Sequence, residues 1–199
     1  NNFGQISQDQ NQNPNREDMI MDSDGFNIIY YKLGGEYSLI TNKDLTGSEE
    51  LVLNPVGLKK IKNDLFIVSN LSHKIYKYSL EKDILIPYLG NGNAERDYQN
   101  KVHRLDIGIG YSGFVTADKD ENLMVADYFN RRILREKDDY VEYVFPPPHW
   151  LYSSSVNGFV EYGSEIFYND SAFGLIFKYD GCDPLPIPIA GIRDREGDA

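Results

Sequence analysis

Short apolar runs separated by polar turns mark this chain, and four stretches of fifteen residues repeat one pattern without a gap. They are DMIMDSDGFNIIYYK (18–32), DLFIVSNLSHKIYKY (64–78), NLMVADYFNRRILRE (122–136) and EIFYNDSAFGLIFKY (165–179). The first position is always polar, at Asp18, Asp64, Asn122 and Glu165, and the second always apolar, at Met19, Leu65, Leu123 and Ile166. The twelfth is isoleucine throughout, at Ile29, Ile75, Ile133 and Ile176, with spacings of 46, 58 and 43 residues. A glycine leads an apolar run at Gly57, Gly113 and Gly158, and IPYLGNGNAERD (86–97) is echoed by IPIAGIRDREGDA (187–199). Each repeat reads as four short strands joined by polar hairpin turns such as DKDE (118–121) and EKDD (136–139). No helical periodicity of comparable quality is present.

A four-stranded unit recurring at these spacings cannot cover its own two faces, so successive units must stack on one another. The expected fold is all-β: a β-propeller of four-stranded antiparallel blades, with four repeats visible and the start of a fifth. Residues 1–17 are rich in Asn and Gln and nearly empty of apolar side chains, which predicts a flexible polar tether. The propeller is expected over 18–199.

The stretch GFVTADKDENLMVADYFNRRI resembles an NHL repeat, with Gly113, Asp118, Asn122, Asp127, Asn130, Arg132 and Ile133 on its marker positions. The other windows depart from it, with Ser23, Ser69 and Asp170 at the Asp127 position and Ile28, Lys74 and Leu175 at the Arg132 position. The resemblance implies structural roles: the acid and the arginine tie a strand end to its neighbour, and the isoleucine packs in the core. It also implies a ring usually of six blades, against the four and a beginning counted here. An incomplete ring would leave an exposed pairing edge after Tyr179 for a partner chain or the tail to cover.

Composition narrows the partners. A net charge of −11 argues against nucleic acid and anionic membranes, because phosphate-gripping surfaces carry the opposite sign. No apolar run approaches the length of a membrane-spanning helix, so membrane insertion is not expected. The start carries no signal-peptide pattern, which by itself assigns no cytosolic home. The acidic, tethered chain suits an extracellular, periplasmic or cell-envelope setting, and its tether is of the kind found in bacterial lipoproteins. With Cys182 as the single cysteine, neither an intrachain disulfide nor a cysteine zinc cage can form. Tyr (15) and Phe (10) are abundant, as pleated half-buried strands favour.

In a propeller the loops alternate between two faces. One receives the short acidic turns KND, DKDE, EKDD and DGCD. The other receives the turns between second and third strands and the long connections 90–112 and 146–157, which are more apt to carry function. The candidate ligand-binding residues on that face are His73, His103, Tyr111, Tyr128, Phe129, Arg131, His149, Trp150 and Tyr152. No catalytic residue is nominated: paired carboxylates are too abundant to single any out, and no Ser-His-Asp order or phosphate-binding glycine loop stands out. The leading expectation is a non-enzymatic scaffold binding a protein, peptide or glycan, with no cofactor. Related propellers include copper- or zinc-dependent lyases and metal-dependent lactonases, so zinc on the three histidines of a channel enzyme is the first alternative. Calcium at DSDGFN (22–27) and DKDEN (118–122) is another reading of the acidic turns, although each lacks ligands a full loop needs. The segment FPPPHW (145–150) reads as a stiff connection aiming His149 and Trp150. The last alternative is a structural subunit of an envelope or appendage assembly, its ring completed by a partner chain.

Overall fold

The computed structural model describes residues 55–82, 84–95, 101–144, 156–181 and 186–191, with the backbone of three strands between 19 and 41. These residues form strands and no helix, grouped in four antiparallel sheets. The first holds β1 (Met19–Met21), β2 (Asn27–Tyr31) and β3 (Tyr37–Thr41), in that order. The second holds β4 (Pro55–Ile61), β5 (Asp64–Ser69), β6 (Lys74–Ser79) and β7 (Ile84–Leu89). The third has five strands: β8 (Lys101–His103), β9 (Ser112–Ala117), β10 (Leu123–Asp127), β11 (Arg132–Lys137) and β12 (Tyr140–Tyr143), ordered β8-β12-β11-β10-β9. The fourth holds β13 (Val156–Tyr162), β14 (Glu165–Asp170), β15 (Leu175–Tyr179) and β16 (Ile187–Gly191). The tail 1–17 and the start of a fifth repeat lie outside the described residues.

The repeat is visible in the pairing. The third and fourteenth window positions face each other as Phe66 with Lys77, Met124 with Arg135 and Phe167 with Lys178. The tenth is left-handed in all three, at His73 (φ 51°), Arg131 (φ 57°) and Gly174 (φ 63°), where the hairpin turns into its next strand. The echoed glycines also correspond, since Gly90 and Gly191 have φ of 105° and 103°. A Cβ on either would meet a backbone carbonyl, of His73 at 2.5 Å and of Gly174 at 2.2 Å.

Two expectations are corrected. In the first sheet Met19 pairs with Tyr30, two residues short of the partner the gapless alignment assigns, because the connecting turn sets hairpin register. The three run-leading glycines are not strictly equivalent either. Strands β4, β9 and β13 each bulge after their first pairing, at Val56, Gly113 and Asn157, so Gly57 and Gly158 fall one place later. Gly57 serves close approach: a Cβ there would stand 2.9 Å from the Gly113 carbonyl oxygen, so β4 and β9 touch backbone to backbone.

Burial explains the apolar runs. Every residue of β10 is buried, with the second sheet on one face and the fourth on the other, and all of β5 beyond Asp64 is buried too. Phe66, Val68, Ile75 and Leu89 pack against Val102, Ile107, Ile109, Val115, Val125 and Leu134 between the second and third sheets. Met124, Ala126 and Ile133 pack against Val156, Phe159, Ile166, Tyr168 and Phe177 between the third and fourth. Leu65, Ile67, Tyr76, Tyr78 and Leu85 line the opposite face of the second sheet.

Polar ties reinforce these contacts. The Tyr88 hydroxyl donates to Glu136 Oε2 at 2.6 Å, and burial together with that bond pushes its pKa up. The Arg104 guanidinium lies 4.4 Å from the Tyr88 ring centre, donates to the Tyr88 carbonyl and pairs with Asp139 at 2.8 Å. On the short-turn side Lys62 pairs with Glu121 (2.8 Å), and Arg135 reaches both Asp118 (3.0 Å) and Glu161 (2.8 Å).

Asp118 closes its own turn by accepting from the backbone N–H of Asp120 and Asn122 and from Asn122 Nδ2, at 2.8–2.9 Å. Burial alone would raise its pKa, but these bonds and Arg135 outweigh it and hold the carboxyl below its ordinary value. A lowered native pKa gives stability that is present above the ordinary carboxylate range and lost as pH falls through the native pKa, below about 4. Asn122→Ala is therefore expected to cost about 1 kcal/mol at neutral pH. That difference should shrink toward pH 3 in urea melts run across the acid range.

Candidate functional site

The buried marker residues position the long-looped face. Asp127 (0% exposed) and Arg132 (1%) form an ion pair at 2.8 Å. Asp127 Oδ1 accepts from the Gly110 N–H at 3.0 Å, and its carboxylate also accepts from Asn130 Nδ2. Arg132 donates to the Tyr143 hydroxyl at 2.8 Å and to the Gly108 carbonyl, while Asn130 donates to the Ala94 carbonyl at 3.0 Å. One carboxylate thus fastens both the connection entering β9 and the turn between β10 and β11. The two press together so closely that a Cβ on Gly110 would lie 2.4 Å from Phe129 Cβ. These residues tie the connection that enters β9 to the turn that follows β10.

What the network presents to solvent is aromatic. Tyr111 and Phe129 are 48% and 56% exposed and meet edge to face at 6.1 Å. His73, from the turn between β5 and β6, meets Tyr111 edge-on at 5.7 Å. Asn70 of that turn accepts from the Ser112 N–H at 2.9 Å, which binds the second sheet's turn to the start of β9. Three separate segments therefore converge on one aromatic row. His73 Nδ1 is buried and makes no hydrogen bond, so the fold leaves part of its capacity unused. Tyr128 and Arg131 flank Phe129 as exposed residues of the same turn.

His103 stands elsewhere. It lies on β8, a strand the sequence reading did not foresee, which pairs outside β12 through His103 and Tyr140. That is four strand spacings from β9, about 19 Å across the sheet. Its Nδ1 accepts from the Leu105 N–H at 3.3 Å, and its ring meets Tyr140 at 6.0 Å. His73 and His103 are not brought together: a three-residue edge strand carries His103 outside β12. His149, Trp150, Tyr152 and Cys182 lie outside the described residues, as does most of DSDGFN. Among the described residues no three His, Cys, Asp or Glu side chains are grouped to hold a metal. The Asp118 carboxylate of DKDEN is engaged by its own turn and by Arg135.

A cleft of about 440 Å³ opens on the second sheet at its short-turn end, lined by Lys62, Asp64, Lys77, Glu81, Lys82, Ile84 and Ile86 among others. Within it Lys77 pairs with Asp64 at 2.7 Å, and Glu81 accepts from the Asn63 amide.

No protein-family model and no curated protein matches the sequence. Solved structures do. A streptogramin B lyase superposes with a TM-score of 0.58 at 14% identity, over 86% of this chain and 53% of the lyase. A protein of unknown function from Bacteroides thetaiotaomicron gives 0.61 at 18% identity, over 81% and 43%. The extracellular domain of a one-component system from B. thetaiotaomicron gives 0.52 at 12% identity, over 95% of this chain and 24% of that one. At such identities the likeness shows the fold: an all-β propeller of antiparallel sheets. The chain spans about half, or less, of each neighbour's length.

Proposed function

We propose that this is a non-enzymatic binding module, a divergent NHL-like propeller that engages a protein, peptide or glycan through its long-looped face. The observation that carries the reading is the aromatic row His73–Tyr111–Phe129. It is exposed, assembled from three segments and held by a buried polar network. Aromatic rings supply large contact area at small entropic cost, and an imidazole at the end of the row gives polar direction. Arg131 and Tyr128 border it, and His149, Trp150 and Tyr152 belong to the connection assigned to the same face. A resident cofactor forms no part of this reading. An extracellular or envelope setting accords with the extracellular neighbour.

The test is a peptide and glycan array followed by titration of the strongest ligand. Tyr111→Ala and Phe129→Ala are each expected to weaken binding about 10- to 100-fold, whereas Lys119→Ala, in an exposed turn at the opposite end, should leave it unchanged. Equal binding by all three variants would sink the proposal.

A second reading is favoured by the likeness to the lyase: a metal-dependent enzyme at the channel. Plasma mass spectrometry of chelator-free protein separates the two. Stoichiometric zinc or copper lost in His73→Ala or His149→Ala supports the enzyme.

A further inference from the structure

The outer strands of the second, third and fourth sheets differ at one place. Opposite the thirteenth window residue stand Pro87 on β7, Pro188 on β16 and Tyr143 on β12, facing Tyr76, Phe177 and Leu134. A proline has no N–H to offer a further strand. Strands β7 and β16 also share a bulge one residue later, at Tyr88 and Ile189, where the register skips a place. Proline and bulge are two of the devices by which proteins blunt an open sheet edge. Strand β12 has neither, and its register against β11 runs unbroken from Tyr140 to Tyr143.

The backbone of β12 is turned to pair. The Val144 N–H donates to the Ile133 carbonyl at 3.1 Å. Alternation along an antiparallel ladder then points the N–H and C=O of Tyr143, Val141 and Asp139 away from β11. Among the described residues β7 and β16 end their sheets, whereas β12 has β8 outside it. Val102 of β8 lies opposite Val141, and the Arg104 N–H donates to the Asp139 carbonyl at 2.8 Å. The same alternation makes Val102 and Val141 a hydrogen-bonded pair. Val102 is buried, and the Arg104 side chain fastens the end of the strand to Tyr88 and Asp139. Strand β8 ends the ladder with a blunted edge of its own, being three residues long and opening on an exposed lysine, Lys101.

We propose that β8 is an edge guard. It fills, from within the same chain, the pairing edge that the second and fourth sheets close with proline and bulge. With β8 displaced, that edge pairs with β12 of a second copy. The strand suits pairing with itself: about a two-fold axis at Val141, Asp139 meets Tyr143 and Tyr140 meets Glu142. All three outward-facing residues then fall opposite one another, as an antiparallel ladder requires.

Val102→Pro removes the N–H that β8 offers to Val141 and so frees the edge. Sedimentation velocity of the full chain from about 1 to 200 μM, beside amide hydrogen exchange, reads the result. At the lowest concentration the Val141 amide should exchange about 10-fold or more faster in the variant than in the wild type. With rising concentration the variant should dimerise more strongly than the wild type, and the amide should regain protection. Tyr140→Glu in the same background sets a glutamate opposite Glu142 of the second copy and should abolish the gain. If Val102→Pro loses the wild-type circular dichroism spectrum, Arg104→Ala, which loosens the same strand from outside the apolar core, carries the test with the same expected signs. An unchanged Val141 amide shows that β8 does not guard this edge. A freed amide without stronger association shows that the edge does not pair. Either result overturns the proposal, as does a gain in association that survives Tyr140→Glu.

Discussion

Arg132→Leu is expected to destabilise the protein by about 3–5 kcal/mol, the usual consequence of stripping one partner from a buried ion pair. For a chain of this size the loss lowers Tm by about 6–20 °C. The side chain is 1% exposed and binds the Asp127 carboxylate, the Tyr143 hydroxyl and the Gly108 carbonyl. Its removal leaves a fully buried carboxylate facing only N–H donors of Gly110 and Asn130. The repeat shows what an arginine-free version looks like. In the second sheet Ser69 takes the acid's place and accepts from the Ser72 hydroxyl at 2.7 Å. In the fourth, Asp170 stands opposite Leu175 and turns to the Ala172 and Phe173 N–H groups. The double variant Asp127→Ser, Arg132→Leu should therefore cost less than the sum of its parts, since it removes the charge along with its partner. Urea melts of the two single variants and the double one complete the cycle. Strict additivity, or a loss under about 1 kcal/mol for Arg132→Leu, would show that packing alone holds the turn.

What could be read in the chain was what each sheet repeats within itself. The windows and their shared isoleucine follow from local spacing, and the structural standing of Asp127 and Arg132 is what the resemblance implied. Position ten even carries a backbone requirement, left-handed at His73, Arg131 and Gly174, behind three unrelated side chains. What escaped depends on contacts between sheets or on segments too short to show a pattern. Strand β8 has three residues, too few for alternation to declare itself, and it carries His103 outside β12, away from His73. The tie from Asn70 to Ser112 joins residues 42 apart, and no other window has an asparagine in that place, so nothing marked it beforehand. Of the nominated site residues the structure joins His73, Tyr111 and Phe129 in one row. That convergence belongs to the packing of one sheet against the next.

The sharpest consequence of that packing is that two identical residues in identical repeat positions should behave differently. Ile133→Ala is expected to cost about 2–5 kcal/mol, the range for emptying a fully enclosed aliphatic site. Ile133 is 0% exposed between Met124 and Ala126 on its own sheet and the Val156–Phe177 group on the next. Little can collapse into the space, because both walls are hydrogen-bonded sheets whose separation is fixed by many other side chains. Ile176→Ala, at 42% exposure, removes atoms already in contact with water and should cost under about 1 kcal/mol. Ile75→Ala belongs with Ile133, being sealed between the second and third sheets. Equal losses at Ile133 and Ile176 would mean that the outer face of the fourth sheet is covered within the monomer. A large loss at Ile133 beside a small one at Ile176 would establish that the isoleucine stabilises only through the sheet placed against it.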